Sequence, residues 1–344
     1  MYKLHPLFKI RTEVTTGILD LLNRTVLGTN GAKYKHLDTS NRIYEADNPL
    51  FLSIERHEKT LGNVTFCRRG EHWYIRYFAF QSSMQSSGKE NNHSKGNSML
   101  KNELKSFFSQ VLDDNKENPT VKSMYAYIDP KNIKSKWISE SFGFQTIAHL
   151  ATQSFSRLNP KKSNRLAIST DWNEIALIVR DFYGENQYYF ETHCSKPPFY
   201  VLRNEENEII ACTRVVFVNW EIVRLPGKLG GFLTKTIPFI PLLRKLIRPK
   251  KHQFLVPEIV WTKNNDATIL TELFESILAE QKLKILLWWT DVQNPLYQEV
   301  KDQVNWGLLN KLIGVAPVDV VQLKSTSFTD KNENPVFVTA YDMV

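Results

Sequence analysis

The chain is short of cysteine and glycine and has no long apolar run, and each shortage excludes something. Cys67, Cys194 and Cys212 are the only cysteines in 344 residues. An odd, sparse set without CxxC spacing is neither a disulfide scaffold nor a zinc cluster, and it suits a reducing compartment. The eight histidines are scattered, without the close i, i+4 pair that zinc needs, so no metal is expected. Among the fourteen glycines there is no P-loop, no Rossmann fingerprint and no GxSxG nucleophile elbow. The opening residues MYKLHPLFKIRTEV lack the apolar core of a signal peptide, and no stretch approaches the ~20 apolar residues that span a bilayer. A cytoplasmic protein is the expectation.

What is present is a globular composition, 42% hydrophobic and 12% aromatic, enough for one large core or two ordinary ones of ~150 residues each. Lys and Arg total 44 against 36 Asp and Glu, a net charge of +8. That balance favours an anionic partner and leaves phosphate, nucleic acid and membrane surface open.

Residues 15–26 predict a helix, with Ile18, Leu19, Leu21, Leu22 and Val26 near helical spacing. Strands follow at 51–55, 63–69 and 73–80, separated by turns at Gly62 and Gly70, and read as an antiparallel meander. The polar run QSSMQSSGKENNHSKGN, residues 81–97, cannot bury apolar surface and reads as a loop. Leu100, Leu104, Phe107, Phe108, Val111 and Leu112 then form one stripe of an amphipathic helix capped by Asn97 or Ser98. A strand at 123–128, a helix at 131–141 and a strand at 145–156 complete this half.

A polar, Pro-containing joint at 159–164 divides the chain into 1–158 and 165–344. Asp171-Trp172-Asn173-Glu174 has the form of a capping box, the Asp serving the Glu amide and the Glu reaching back, ahead of a helix through Ile175, Ile178, Val179 and Phe182. Strands at 199–203, 209–218 and 254–263 make a second meander. Asp266 then caps a helix whose stripe is Leu270, Leu273, Phe274, Ile277 and Leu278. A buried strand at 284–289, a helix at 294–302 and closing strands at 318–323 and 336–341 repeat the order of the first half.

This order resembles the GCN5-related N-acyltransferase (GNAT) superfamily. The most specific stretch is AYIDPKNIKSKWISESFGF, ending at Phe144; it is similar to the family's second acyl-CoA motif, with Asn132 after the fifth strand and Gly143-Phe144 closing a short helix. The resemblance implies an α+β protein of two tandem GNAT-like acyl-CoA N-acyltransferase domains, each a mixed, mostly antiparallel sheet flanked by helices. It implies acyl transfer from acetyl-CoA or another acyl-CoA, as co-substrate, to a small-molecule, peptide or lipid amine.

The family's pyrophosphate loop opens a helix, where backbone amides and the helix dipole attract anions. Two imperfect versions occur, at 85–90 and 93–98. The second, directly before the helix, is preferred and places Lys95, Gly96, Asn97 and Ser98 at the cofactor together with Asn132. A solvated surface loop is the competing reading. The matching loop of the second half, 262–267, lacks both glycines and sets the Asp266 carboxylate at the helix start, so that half is expected to supply substrate contacts or an interface.

Acyl transfer needs a deprotonated amine and a proton for the departing thiolate. The family's acid is often a Tyr after the fifth strand, a place held here by Ser139. In the second half the resemblance puts Glu258 at the base position and Tyr297 at the acid position, so either the site is shared between halves or these two are structural.

Residues 224–251 carry eight basic residues and no acid, with apolar residues broken up by Pro238, Pro241 and Pro249. The segment can pack on its own domain, cover an acyl group, or contact an anionic membrane surface. No nucleic-acid partner is expected, because aromatics are not interleaved with the basic residues. A catalytically inactive binding protein of this fold, and a peripheral membrane protein acting on lipid-linked amines, are the alternative functions.

Overall fold

The strands of both halves join in one continuous sheet rather than two. The computed structural model describes residues 4–28, 31–81, 95–112, 120–225, 230–326, 328 and 333–343, excepting the side chains of 95–100 and 343. The first half supplies β1 (Phe8–Arg11), β2 (Lys33–His36), β3 (Pro49–Arg56), β4 (Lys59–Arg69), β5 (His72–Phe80), β6 (Ser123–Ile128) and β7 (Gln145–Ser156). The second supplies β8 (Leu166–Ser169), β9 (Phe199–Arg203), β10 (Ile209–Arg224), β11 (His252–Thr262), β12 (Ile285–Asp291) and β13 (Ala316–Lys324). Twelve follow the order β1-β3-β4-β5-β6-β13-β7-β12-β11-β10-β9-β8, and β2 pairs with β10. The fold is mixed, mostly antiparallel and flanked by helices, as expected.

Read from either end, this order is the same. β3 to β6 correspond to β9 to β12, and β7 and β13 lie side by side at the centre. Each half's last strand is exchanged: β13 sits between β6 and β7, while β7 pairs with β12. Among the named strands only β5 with β6 and β11 with β12 are parallel, and these are equivalent places in the two halves.

Helix Lys95–Val111 lays Leu104, Phe107, Phe108 and Val111 on the first half of the sheet, where they meet Phe66, Trp73, Phe142 and Phe144. Helix Ala267–Glu280 does the same in the second half. Its five expected apolar residues are all buried, and Asp266 accepts from the amides of Thr268 and Ile269 at 2.7 and 2.9 Å. A central cluster including Tyr74, Tyr125, Tyr188, Val320, Val336 and Val338 spans both halves.

Several expectations are corrected. Residues 336–341 do not form a closing strand: apart from one bridge of Val336 to Gln187, they run as an extended segment into a short helix, Ala340–Met343. Their amides are taken by side chains and loops, Val336 N by Asp291 at 2.7 Å and Ala340 N by Glu258 at 2.8 Å, so no ladder forms. Helix Lys95–Val111 starts ahead of the expected cap, which places Asn97 and Ser98 inside it. At the second half's first helix, Asn173–Tyr183, Asp171 serves the Asn173 amide at 2.9 Å. Glu174 turns to Ser169 and Arg203 instead of reaching back. β1 and β2 are four-residue strands at the sheet margin, too short to show a period.

Two histidines that flank Trp220 of β10, His36 on β2 and His252 on β11, make stability depend on pH. Burial lowers His252 from 6.5 to about 4, and burial with Arg76 and Arg42 nearby lowers His36 to about 3. Both are neutral in the fold and protonate more readily when unfolded. Their contribution is therefore complete above about pH 6.5 and is lost as pH falls through that value towards 4. For His252 alone the loss at pH 5 is about 2 kcal/mol. Thermal melts at pH 7 and pH 5 should show this destabilisation, and His252→Phe should reduce the difference between the two.

Candidate functional site

The sheet opens at both parallel pairs. β5 and β6 are joined over three residue pairs, ending at Tyr74 with Tyr125, after which Tyr77 takes a φ of 51°. β11 and β12 are joined at Leu255 with Leu286, after which Ile259 takes a φ of 49°. Left-handed backbone is unfavourable for aromatic and β-branched residues and persists only where its surroundings impose it. Here it turns each strand from its parallel neighbour and leaves a wedge. The residue before each turn is a buried charge, Arg76 in the first wedge and Glu258 in the second.

The C-terminal segment passes through both wedges. Val336, Phe337 and Val338 line a small cavity in the second with Glu258, Trp288 and Asn294. Glu258 pairs with Arg214 through one carboxylate oxygen. Its other oxygen accepts from Thr339 Oγ1 at 2.9 Å and from the Ala340 amide at 2.8 Å. In the first wedge Arg69 donates to both oxygens of Asp342, at 2.7 and 2.5 Å, and to Tyr125 Oη at 2.8 Å. Tyr74 Oη donates to the Asp342 carbonyl at 2.7 Å, and the Arg76 guanidinium lies 5.0 Å over the Tyr341 ring. Burial pushes the phenols of Tyr74, Tyr125 and Tyr127 well above their ordinary range, so all three are neutral. The Tyr127 hydroxyl is buried with no hydrogen-bond partner among the described residues. No cluster of His, Cys, Asp and Glu among the described residues is arranged to hold a metal ion.

Of the five expected cofactor residues, four open one helix and the fifth caps another. Lys95, Gly96, Asn97 and Ser98 form the first turn of helix Lys95–Val111. Their side chains, like the alternative loop at 85–90 and residues 93–94, lie outside the described residues. Asn132 caps helix Ile133–Ser141, its side-chain oxygen accepting from the Ser135 amide at 3.1 Å. Gly143, at φ 96°, closes that helix and sends Phe144 into the core. Ser139 is buried, and its hydroxyl donates to the Lys136 carbonyl at 2.8 Å. Beside them stand residues that sequence reasoning missed: Ile133 is 74% and Trp137 62% exposed, and Lys101 Nζ lies 5.1 Å over the Trp137 ring. The signal was an i, i+4 apolar pair on the face opposite the buried Ser139.

The second half differs. Asp266 already occupies the amides at the start of its helix. Tyr297, on helix Pro295–Val300, packs its ring edge-on to Trp288 at 5.7 Å within the apolar core. It does not line the cavity that Glu258 borders.

This architecture has known counterparts. The chain is similar to Saccharomyces cerevisiae N-myristoyltransferase with bound myristoyl-CoA, at TM-score 0.58 and 10% identity over 98% of this chain and 86% of that one. It is also similar to a GCN5-related N-acetyltransferase from Sphaerobacter thermophilus, at TM-score 0.52 and 8% identity over 96% of this chain and 99% of that one. The fold is the tandem GNAT fold. No family model and no curated protein matches the sequence, so the likeness lies in the fold.

In this GNAT arrangement Glu258 is held at every polar atom of its carboxylate. Removing its charge leaves Arg214 unpaired but partly solvated, so Glu258→Gln should cost about 2 kcal/mol, less than the 3–5 kcal/mol of a fully buried pair. Urea unfolding of the variant beside the parent measures it.

Proposed function

We propose that the protein is an acyl-CoA-dependent N-acyltransferase that binds its donor on the first half and holds the acceptor with the second. One observation carries the reading: the two equivalent helix starts are chemically unequal. At Ala267–Glu280 a carboxylate fills the anion position. The first turn of Lys95–Val111 has no acid, and a helix start without a carboxylate suits a pyrophosphate. Lys101 and the exposed Trp137 ring add a cation and a stacking face beside it.

The reaction is attack of an amine on the thioester carbonyl. A C–N bond forms, the C–S bond breaks, the amine proton passes to a base, and the thiolate leaves with a proton. Glu258 and Tyr297 serve the fold in this reading, one as an anchor for residues 339–340 and the other as core. Acetyl-CoA is the donor expected from the sequence, and myristoyl-CoA is the donor bound in a structural neighbour. Three free, buried cysteines suit a cytoplasmic setting. A second reading, a binding protein without catalysis, is favoured by one feature: Asp342 and Tyr341 fill the first wedge.

Calorimetric titration with acetyl-CoA and with myristoyl-CoA should show binding of at least one. Trp137→Ala should weaken it about tenfold, as loss of one stacked base does, and Asp266→Ala should leave it unchanged. Thiol release in the presence of a panel of amines then separates the readings. Binding without release supports the non-catalytic protein, and no binding of either donor removes the donor site.

A further inference from the structure

The basic apolar segment between β10 and β11 has two faces. Its described part is helix Gly230–Thr236, a single turn Ile237–Phe239 and helix Leu243–Leu246. Ile237, Leu246 and Ile247 are buried in the central cluster that also contains Tyr125, Tyr188 and Val336. The segment is thus fixed to the body by an inner face. Its outer face is apolar as well: Phe232 is 65%, Phe239 83% and Leu242 53% exposed, with Leu233 and Ile240 beside them. Lys235, Arg244, Lys245, Arg248, Lys250 and Lys251 are all exposed, and no acid lies in the stretch.

We propose that this outer face seats on the surface of an anionic lipid bilayer, with Phe232, Phe239 and Leu242 entering the headgroup–acyl boundary and the surrounding Lys and Arg meeting lipid phosphates and carboxylates. Three observations point to a bilayer. Bulky apolar side chains held outward beside cations, with no compensating acid, match an interfacial anchor and its anionic surface. Pro238, Pro241 and Pro249 keep the pieces short, and no described helix is long and apolar enough to cross a membrane, so the segment lies on the surface. Protein interfaces are depleted in lysine, and single-stranded nucleic acid would gain nothing from exposed Leu233, Ile240 and Leu242, because bases stack on aromatic faces. The proposal is independent of the acyl-transfer reading, since none of the outer-face residues takes part in that reaction.

Sedimentation of the full chain with vesicles of phosphatidylcholine, alone or mixed with phosphatidylserine, tests it. The expected result is binding to the mixed vesicles that weakens with salt. Phe232→Ser with Phe239→Ser, and separately Arg244→Gln with Lys245→Gln, should each reduce partitioning about tenfold or more. All four side chains are exposed, so an unchanged melting temperature confirms that the variants fold. Absence of binding to either vesicle overturns the proposal, as does binding that ignores both double variants. Concentration-dependent self-association abolished by Phe239→Ser, without vesicle binding, would also overturn it and make the face a contact between copies of the chain. Retention on single-stranded RNA in place of vesicles would overturn it too.

Discussion

Arg69 and Asp342 form an ion pair in which both side chains are about 1% exposed, and the arrangement of the wedges depends on it. Removing two charges from water costs several kcal/mol each, and their attraction offsets this only when the remaining donors and acceptors are also satisfied. Here they are: Arg69 also donates to Asp47 at 3.1 and 3.2 Å and to Tyr125, and the Asp342 backbone receives the Tyr74 hydroxyl. Such a pair adds little net stability but tolerates one placement only. It sets where the C-terminal segment lies, and with it which side chains fill the first wedge. Glu258 does the equivalent work in the second wedge with the opposite sign, fixing Thr339 and Ala340 just upstream. Two buried charges, one in each half, thus hold consecutive parts of one strap.

The exchange of β7 and β13 explains why one strap can serve both halves. Because each last strand lies in the other half's territory, the chain leaving β13 is already at the centre of the sheet, next to β6. The described residues 336–342 occupy the second wedge and afterwards the first. The halves have diverged around this shared centre. One keeps an acid-free helix start, and the other places a carboxylate there. Once a duplicated fold has two equivalent anion positions, closing one with Asp266 leaves the remaining one as the place where a phosphate meets no repulsion.

Local periodicity made most elements legible. The stripe from Leu104 to Val111 and the five residues from Leu270 to Leu278 were readable because a helix repeats its core face every three to four residues, whatever it packs against. β7 and β9 run over 145–156 and 199–203, the spans read from composition. Residues 336–341 misled because Val336, Phe337 and Val338 look like a buried strand, and periodicity cannot tell a ladder from an extended segment satisfied by side chains. The exchange was illegible for a related reason: swapped and unswapped halves have the same order of elements, and only strand pairing distinguishes them. Glu258 was noticed, yet its partner Arg214 lies directly across the ladder on β10, a relation set by register. The contact of Lys101 with Trp137 became visible only when two helices were brought side by side.

Charge gains meaning once it is located. The segment at 224–251 holds eight basic residues and no acid, and the rest of the chain has 36 basic against 36 acidic residues. A nearly neutral body produces little long-range field, so a donor such as acyl-CoA would be held by short-range contacts, at a helix start without a carboxylate and with Lys101 on the same helix. The excess charge instead projects from one face, where salt screens it beyond ~10 Å. It can orient the whole protein against a surface carrying many negative charges, because all the exposed cations of the segment then act together. Substitutions on the outer face of the segment alter attraction to a surface without touching Arg69, Asp342 or Glu258.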